Sequence, residues 1–454
     1  MPRDYDHLPR RLDIAVIGSG VAGLSAAWLL SKAHNVSVYE QDGRVGGHSN
    51  TVFVPGRTGP IAVDTGFIVY NEPNYPNLTA LFEHLGVETQ KSEMSFAVSL
   101  EGGALEYSGS NLVGLFGQRR NLVRPRFWRM LRDILRFYRQ APRLLADDVD
   151  PSLGEYLQQE GYSRPFVEDH LLPMAAAIWS TDVASMRDHP ARAFVRFCLN
   201  HGLMRVAGRP QWRTVTGGSQ AYVRRLCAAF ADRIMVNAKV SAITRGPAGV
   251  VVHDANGTVT RFDHVVIAAH ADQALGMLAD PSGDEQRLLG AFRYSGNTAI
   301  LHQDEGLMPR RKKVWASWNY MGGDASPNAG PSAEPRQVCV TYWMNRLQSL
   351  DVNVPLFVTL NPSQPPAAER VLKTFQYHHP MYDAAALQAQ ADLSLLQGQR
   401  NTWYCGSYFG AGFHEDALSS GLAVAEALGG VVRPWLTSAG EPQAAAEGFR
   451  SAAE

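Results

Sequence analysis

The chain has 454 residues, 45% apolar and 19% charged, which fits a soluble globular protein of two domains or one large interleaved unit. Lys and Arg number 42 against 43 Asp and Glu, so no global field points to nucleic acid as a partner. The four cysteines, Cys198, Cys227, Cys339 and Cys405, form no Cys-x-x-Cys pair, and MPRDYDHLPRRLD has no apolar signal-peptide core; the expectation is a cytoplasmic protein without zinc ribbon, disulfide framework or membrane span.

The first predicted element is a short buried strand over Asp13–Ile17. Gly18, Gly20 and Gly23 follow in GxGxxG spacing, then a helix over Ala22–Leu30 and a second strand over Val36–Tyr39 ending at Glu40. Each part has a physical reason. Gly18 allows the tight turn, Gly20 lets the backbone approach a pyrophosphate, and Gly23 lets the helix lie close on the strand. The helix start at Val21 and Ala22 offers free N–H groups and the positive dipole end to phosphates. Glu40, with Gln41 beside it, stands where an acid accepts ribose hydroxyl protons. Strand, turn, helix and acid together predict dinucleotide binding.

Arg44, Gly46, Gly47 and His48 come next, in EQDGRVGGHSNTV; an Arg with two adjacent glycines suggests a loop held against an extended ligand, not a crossover helix. AVDTGFIVYN then gives Asp64, Thr65 and Gly66, with Tyr70 and Asn71 behind them. The stretch from Arg119 to Arg143 holds nine arginines against one acid, Asp133. On a helix, Arg129, Arg132, Arg136, Arg139 and Arg143 form one stripe, read either as a solvated face or as a surface for membrane phosphates. Further on, a turn at Gly217-Gly218 precedes a helix. A strand runs through Val240, a hairpin turns at Asn256-Gly257, and a buried strand covers Val265–Ala269 with Ala268 near its end. The segment Tyr294–Gln303 reads as a substrate-side strand and contains no Lys. The last predicted elements lie in YCGSYFGAGFHEDALSSG: a strand over Thr402–Cys405, the pair Gly406-Ser407, a loop over Gly410–Phe413 and a helix over Ala417–Leu428. Asp416 is expected to cap that helix. His414 is either a cap or a proton carrier.

The runs EQDGRVGGHSNTV and AVDTGFIVYN resemble the superfamily of flavin amine oxidases, protoporphyrinogen oxidases and carotenoid desaturases. With GFIVYNE, AAAIWSTD, QVCVTYWMNRLQSL and PLFVTLNP, the chain closely resembles, over nearly its whole length, a bacterial group of NAD/FAD-binding oxidoreductases in that superfamily. The resemblance implies an α/β fold: a Rossmann-like FAD-binding domain from discontinuous segments (1–90, 214–275 and 399–454) and an interleaved α+β substrate domain with a mixed sheet and helices (91–213 and 276–398). It implies non-covalent FAD, cradled by Glu40, Gln41, Arg44, Gly46, Gly47 and His48 and flanked by Asp64, Thr65 and Gly66. Val240 would bring backbone groups to the adenine, with Ala268 nearby. Gly406-Ser407 would lie along the ribityl chain, although the family usually has an acid at Ser407. Phe413, Asp416 and Ala417 would stand at the helix start facing the flavin, whose positive end favours negative charge there.

For function, the resemblance implies hydride transfer from a substrate C–H bond, leaving a new double bond. Members occur beside cyclopropane-fatty-acid-synthase-like methyltransferases, and related flavoproteins desaturate methyl-branched acyl chains on the way to furan fatty acids. The expected substrate is therefore lipophilic, an acyl chain of a membrane phospholipid. Two alternatives stay open: an amine oxidase, and a flavin-bearing partner of a lipid methyltransferase without turnover of its own. The expected proton acceptor is His414, with Glu415 as fallback and with Tyr70 and Asn71 positioning substrate. The expected location is cytoplasmic, peripheral on the inner face of the membrane through Arg129–Arg143.

Overall fold

A computed structural model describes residues 11–146, 150–322 and 338–435. The opening MPRDYDHLPR and the outer limits of the expected domains, residues 1 and 454, lie outside the described residues.

A five-stranded parallel sheet forms one half. Its strands, in spatial order, are Ile234–Met235, Asn35–Tyr39, Asp13–Ile17, His264–Ile267 and Thr402–Tyr404. The strands alternate as a doubly covered sheet requires. Ile14 and Val16 point to a core shared with the helices Val21–Leu30 and His414–Gly429. Ala15 and Ile17 point to the opposite core, roofed by an antiparallel sheet of Val240–Gly246, Gly249–Asp254 and Val259–Phe262. The last two strands turn at Asn256-Gly257, where Gly257 has φ +85°.

The helices Val21–Leu30 and His414–Gly429 lie close together because small residues face each other. A Cβ on Gly421 would collide with the carbonyl oxygen of Ala22 and the hydroxyl of Ser25. Ser25 Oγ donates to the Leu418 carbonyl at 3.3 Å, and His34 Nε2 meets the Gly429 carbonyl at 2.9 Å. This register sets the helices side by side in the same direction, so both N-termini open at the same edge of the sheet. The second helix begins at His414, three residues before the expected start, because Asp416 Oδ2 accepts the Phe413 N–H at 2.8 Å and draws His414 and Glu415 into the first turn.

The other half is built on a seven-stranded mixed sheet, ordered Val371–Met381, Arg293–His302, Phe357–Leu360, Val340–Trp343, Trp318–Gly322, Phe96–Leu100 and Leu105–Ser108. Only the pairing of Trp318–Gly322 with Phe96–Leu100 is parallel. Helices Pro125–Gln140, Leu172–Trp179 and Ala191–Asn200 share its core. The division between halves differs from the expected boundaries in two places. Residues 276–292 and 383–398 bury Leu288, Leu289, Phe292, Ala386, Leu393 and Leu396 in the core under the parallel sheet. The boundaries at 90 and 213 cut a three-stranded sheet in which Trp212–Val215 pairs with both Tyr70–Asn71 and Thr89–Ser92.

The expected stripe of five arginines is broken. The helix ends at Gln140, so Arg143 stands on the 3₁₀ turn Ala141–Ala146. Arg136 lies 4.1 Å over the Tyr162 ring and donates to the Glu160 carbonyl and to Gln140 Oε1. Asp133 faces inward and accepts the Ser163 N–H at 3.0 Å. Among the described residues no helix is long and apolar enough to cross a membrane.

Candidate active site

The glycine turn after the first strand forms one wall of the site. Gly18 N–H donates to the Tyr39 carbonyl at 2.8 Å, and a Cβ on Gly18, at φ +103°, would press into the Ala268 carbonyl. A Cβ on Gly23 would strike the Gly18 carbonyl and Ala268 Cβ. At Gly20 the space in front of the backbone is open to at least 4 Å, while a Cβ on Gly47 would stand 3.0 Å from Gly20 Cα. Gly47 therefore lies against the Gly20 backbone, where a side chain would not fit, and the free space opens on Gly20's own Cβ side. Glu40 sits at the tip of the second strand. Its carboxylate accepts the Ser19 N–H at 3.0 Å, the Ser19 hydroxyl and the Asp42 N–H at 2.8 Å. Gln41 beside it is exposed. Gly46 N–H donates to the Ser19 carbonyl at 3.0 Å, tying the Arg44–His48 loop to the turn. Arg44 Nη1 is enclosed and has no hydrogen-bond partner. A buried cationic nitrogen without an acceptor is costly, so it signals a missing anion. His48 Nε2 is also enclosed and unpartnered; the ring stacks on Tyr377 at 4.9 Å and stands 5.3 Å from His379. Burial, reinforced by His379, holds His48 well below the usual histidine range.

The segment Asp64–Phe67 runs alongside this loop: Thr65 N–H donates to the Asn50 carbonyl and Phe67 N–H to the His48 carbonyl. Gly66 is required there, because a Cβ would strike the His48 carbonyl. Tyr377 joins Asn50 and Thr65 by hydrogen bonds of 2.8 and 2.9 Å. Val240 begins its strand just after Ala238, whose N–H donates to the Glu40 carbonyl at 2.8 Å. Gly406 is fixed by Ser420 Oγ, which accepts its N–H at 3.0 Å, and Tyr382 OH donates to the Ser407 carbonyl at 3.2 Å. The loop Gly410–Phe413 wraps the Asp416 carboxyl, which burial pushes up to about 7. Ala417 is buried in the first turn behind it.

His414 opens that helix. Its ring stacks flat on Phe67 at 3.8 Å, and its Nε2 meets Tyr222 OH at 2.8 Å. Tyr222 OH in turn meets Ser49 Oγ at 2.5 Å, where either oxygen can donate. Burial pulls His414 down to about 3, so the ring is neutral at ordinary pH.

Four expected residues do other work. Glu415 turns away from the cradle and caps the helix Pro76–Leu85, accepting Asn77 N–H and Leu78 N–H at 2.8 and 3.0 Å and the Asn77 side chain at 2.9 Å. That geometry removes it as fallback proton acceptor. The Asp64 carboxylate is taken by Ser219 N–H and hydroxyl, Thr51 hydroxyl and Gln348 Nε2, so it anchors the start of the Gln220–Cys227 helix. Burial outweighs these bonds and raises it to about 6. Tyr70 lies in the apolar core against Tyr75 and Phe82. Asn71 Oδ1 caps the turn at Asn74. Asn71 Nδ2 is left enclosed without a partner. Conversely, Ser49, Phe67, Tyr222 and Tyr377 join the site without a sequence signal of their own.

A glycine turn that opens on free space at Gly20, an orphaned buried guanidinium nitrogen and two helix N-termini at one sheet edge fit an extended diphosphate ligand such as FAD. Fold and site thus define a flavoprotein built on a dinucleotide-binding sheet. The family model for flavin containing amine oxidoreductases matches residues 21–349, and the chain belongs to that family, with FAD as its cofactor. A Mycobacterium tuberculosis protein named as a flavin-containing monoamine oxidase, AofH, is 29% identical over 289 residues, 62% of this chain; the chain spans 62% of that relative's length. Protoporphyrinogen oxidase 2 of Arabidopsis thaliana is 38% identical over 79 residues, 17% of this chain and 15% of its own. Among solved structures, the CLA-producing fatty acid isomerase from P. acnes superposes with a TM-score of 0.62 at 17% identity, covering 90% of this chain and 97% of that one. Cyclohexylamine oxidase from Brevibacterium oxydans gives a TM-score of 0.62 at 15% identity, covering 92% and 100%. At these identities the two structures show a shared fold.

Proposed function

We propose that this flavoprotein oxidises a C–H bond of a lipophilic substrate, leaving a carbon–carbon double bond, and that the substrate is an acyl chain of a membrane phospholipid. The observation that carries this is the wall beside His414. Phe413 stacks on Phe197 at 4.8 Å, and Trp179 lies 4.7 Å from Phe197 and 6.4 Å from Phe413. A pocket bounded by Trp179, Met186, His189, Met381 and Tyr382 adjoins the same loop. Of its two acids, Asp188 is exposed and Asp383 is paired with Arg293 at 2.7 Å. The strand Arg293–His302 carries no Lys. Aromatic walls without an unpaired inward charge suit a hydrocarbon.

FAD, when bound, supplies the acceptor for a hydride and its two electrons. The chain's own residues do the rest. Glu40, Arg44 and the glycine turn at Gly20 hold and orient the cofactor, and the aromatic wall excludes water. The second hydrogen leaves the substrate as a proton, and His414 takes it. A neutral imidazole has one free lone pair. If Nε2–H donates to Tyr222, that pair is on Nδ1. As Nδ1 takes the proton, the imidazolium that forms keeps its Nε2–H on the Tyr222 oxygen, which holds the ring in place.

A second reading, oxidation of an amine, is favoured by Asp188 at the pocket rim beside Trp179, where an acid and an aromatic face attract a cation. Anaerobic incubation of the FAD-loaded protein with extracted phospholipid and with a panel of amines separates them. Bleaching by lipid alone is expected. Bleaching by amines alone would establish the second reading, and no bleaching by either would point to a flavin-bearing partner of a lipid methyltransferase.

A further inference from the structure

We infer that one face of the substrate-binding half is a docking surface for the headgroup layer of an anionic phospholipid bilayer. It consists of Leu112–Val113, the turn Leu122–Val123 and the exposed face of the helix Pro125–Gln140. Leu112 is 73% exposed, Val113 65%, Leu122 50%, Val123 81%, Trp128 50% and Leu135 51%. These are six of the fifteen large apolar side chains that stand exposed among the described residues, and they fall within 24 residues of sequence. They form one patch. Trp128 Nε1 donates to the Leu122 carbonyl at 2.8 Å, and the Phe116 ring bridges from the Leu112 helix to Trp128 at 5.7 Å. A concentrated exposed apolar patch marks an interaction surface.

The arginines choose the occupant. On the helix, Trp128, Arg132, Leu135 and Arg139 follow at i, i+4, i+7 and i+11, so charge and apolar bulk share one outward face. Arg119, Arg129 and Arg139 on this surface have no acidic partner among the described residues. Arg120, Arg124, Arg126 and Arg136 are engaged elsewhere, with Ala104, Asp169 and Glu160. Asp133, the single acid of the stretch, is buried and takes Arg132 at 3.3 Å, so the unpaired charge rests on Arg119, Arg129 and Arg139. Apolar tips among unpaired arginines match an interface with lipid phosphates above and acyl chains below. A second copy would set the same arginines against each other, and a nucleic acid would leave Val123 and Leu112 against phosphate. The inference stands apart from which bond is oxidised, because it concerns binding without turnover.

The test is flotation of the full FAD-loaded chain with vesicles of phosphatidylcholine alone and of phosphatidylcholine with phosphatidylglycerol. The parent protein should float with the anionic vesicles and be released by salt. Each basic side chain near an anionic surface is worth a factor of about five, so R119Q/R129Q/R139Q should bind on the order of a hundredfold more weakly. Val123→Asp should weaken binding at least about tenfold by placing a charge at the insertion depth. Both variants should keep the parent flavin spectrum, which reports folding. A parent protein that stays in the buffer overturns the inference, as do variants that float undiminished. A dimer in solution that Val123→Asp dissociates would instead make this a contact between copies.

Discussion

Tyr222 and His414 stand 192 residues apart in sequence and 2.8 Å apart in space. That bond gives His414 a defined orientation and fixes which ring nitrogen is free to take a proton. His414→Ala should keep FAD but slow flavin reduction by about 10²–10⁴-fold, the range for losing a general base. Tyr222→Phe keeps the ring packing and removes both hydrogen bonds. It should slow reduction less than His414→Ala, with the half-saturating substrate concentration unchanged, because only the orientation of the base is lost. The sign of the pH dependence follows from burial: the His414 proton affinity is depressed to about 3, so the ring stays neutral and competent as pH rises, and the parent rate should be flat from about pH 5 to 8. Anaerobic stopped-flow measures all three quantities; parent-like rates in both variants would remove His414 from the mechanism. At this scale the sequence is informative where local backbone geometry demands a residue type. Gly18, Gly20 and Gly23 are legible because their turn tolerates little else. Tyr222 is not, since its partners come from two distant segments. Glu415 reads as a site acid by adjacency, but a helix places successive residues about 100° apart, so its carboxylate faces Asn77 and Leu78 while His414 faces Tyr222.

The two parallel helices are the elements on which the cofactor site rests. Gly421 sets their separation and Gly20 borders the open gap, so substitutions at the two positions should fail differently. Gly421→Val drives a side chain into Ala22 and Ser25, and should lower the melting temperature by several degrees and weaken FAD binding together. Gly20→Ala meets no protein atom within 4 Å and has an ordinary φ of −68°, so the cofactor-free protein should melt as the parent does while FAD affinity falls. Thermal melts with and without FAD distinguish the two; equal behaviour would mean that Gly20 does not border the phosphates. The strand Asp13–Ile17 and the helix after it were readable from β-branched and small apolar composition and from the glycine turn between them, since both are buried on all sides and neither has an amphipathic period. The arginine helix was readable as a helix, but not its outward face. Arg136 belongs to the stripe by spacing, yet the Tyr162 ring and the Glu160 carbonyl capture it, and neither neighbour is local. Trp128 and Leu135 look like core residues by composition and stand outside because Phe127, Met130, Asp133 and Phe137 already fill the inward face.

Nine of the 14 histidines have proton affinities lowered by burial: His48, His170, His189, His201, His264, His270, His302, His379 and His414. A histidine depressed in the fold binds fewer protons than it does unfolded, so its contribution is intact above about pH 6.5 and is lost as pH falls below that. Asp64, Glu415 and Asp416 are raised and act in the opposite sense, gaining relative stability as pH falls through about 7 to 4. The histidines outnumber them, so the melting temperature of the whole molecule should drop by several degrees between about pH 7 and 5; a rise over that interval would show that the buried acids dominate. The division into halves was only coarsely legible, because the strand and helix pattern does not say which core a connecting helix such as Gly283–Leu289 will join. The parallel sheet, finally, takes its outermost strand from Thr402–Tyr404, beside a strand at His264–Ile267 and two from the first forty residues. Translation runs from N- to C-terminus, so the turn Gly18–Gly23 is made well before the strand Thr402–Tyr404 and the helix that carries Gly421. Until then the helix Val21–Leu30 exposes the face that Leu418, Gly421 and Ala425 later cover, and the cofactor can stabilise the fold only once that later helix has been made.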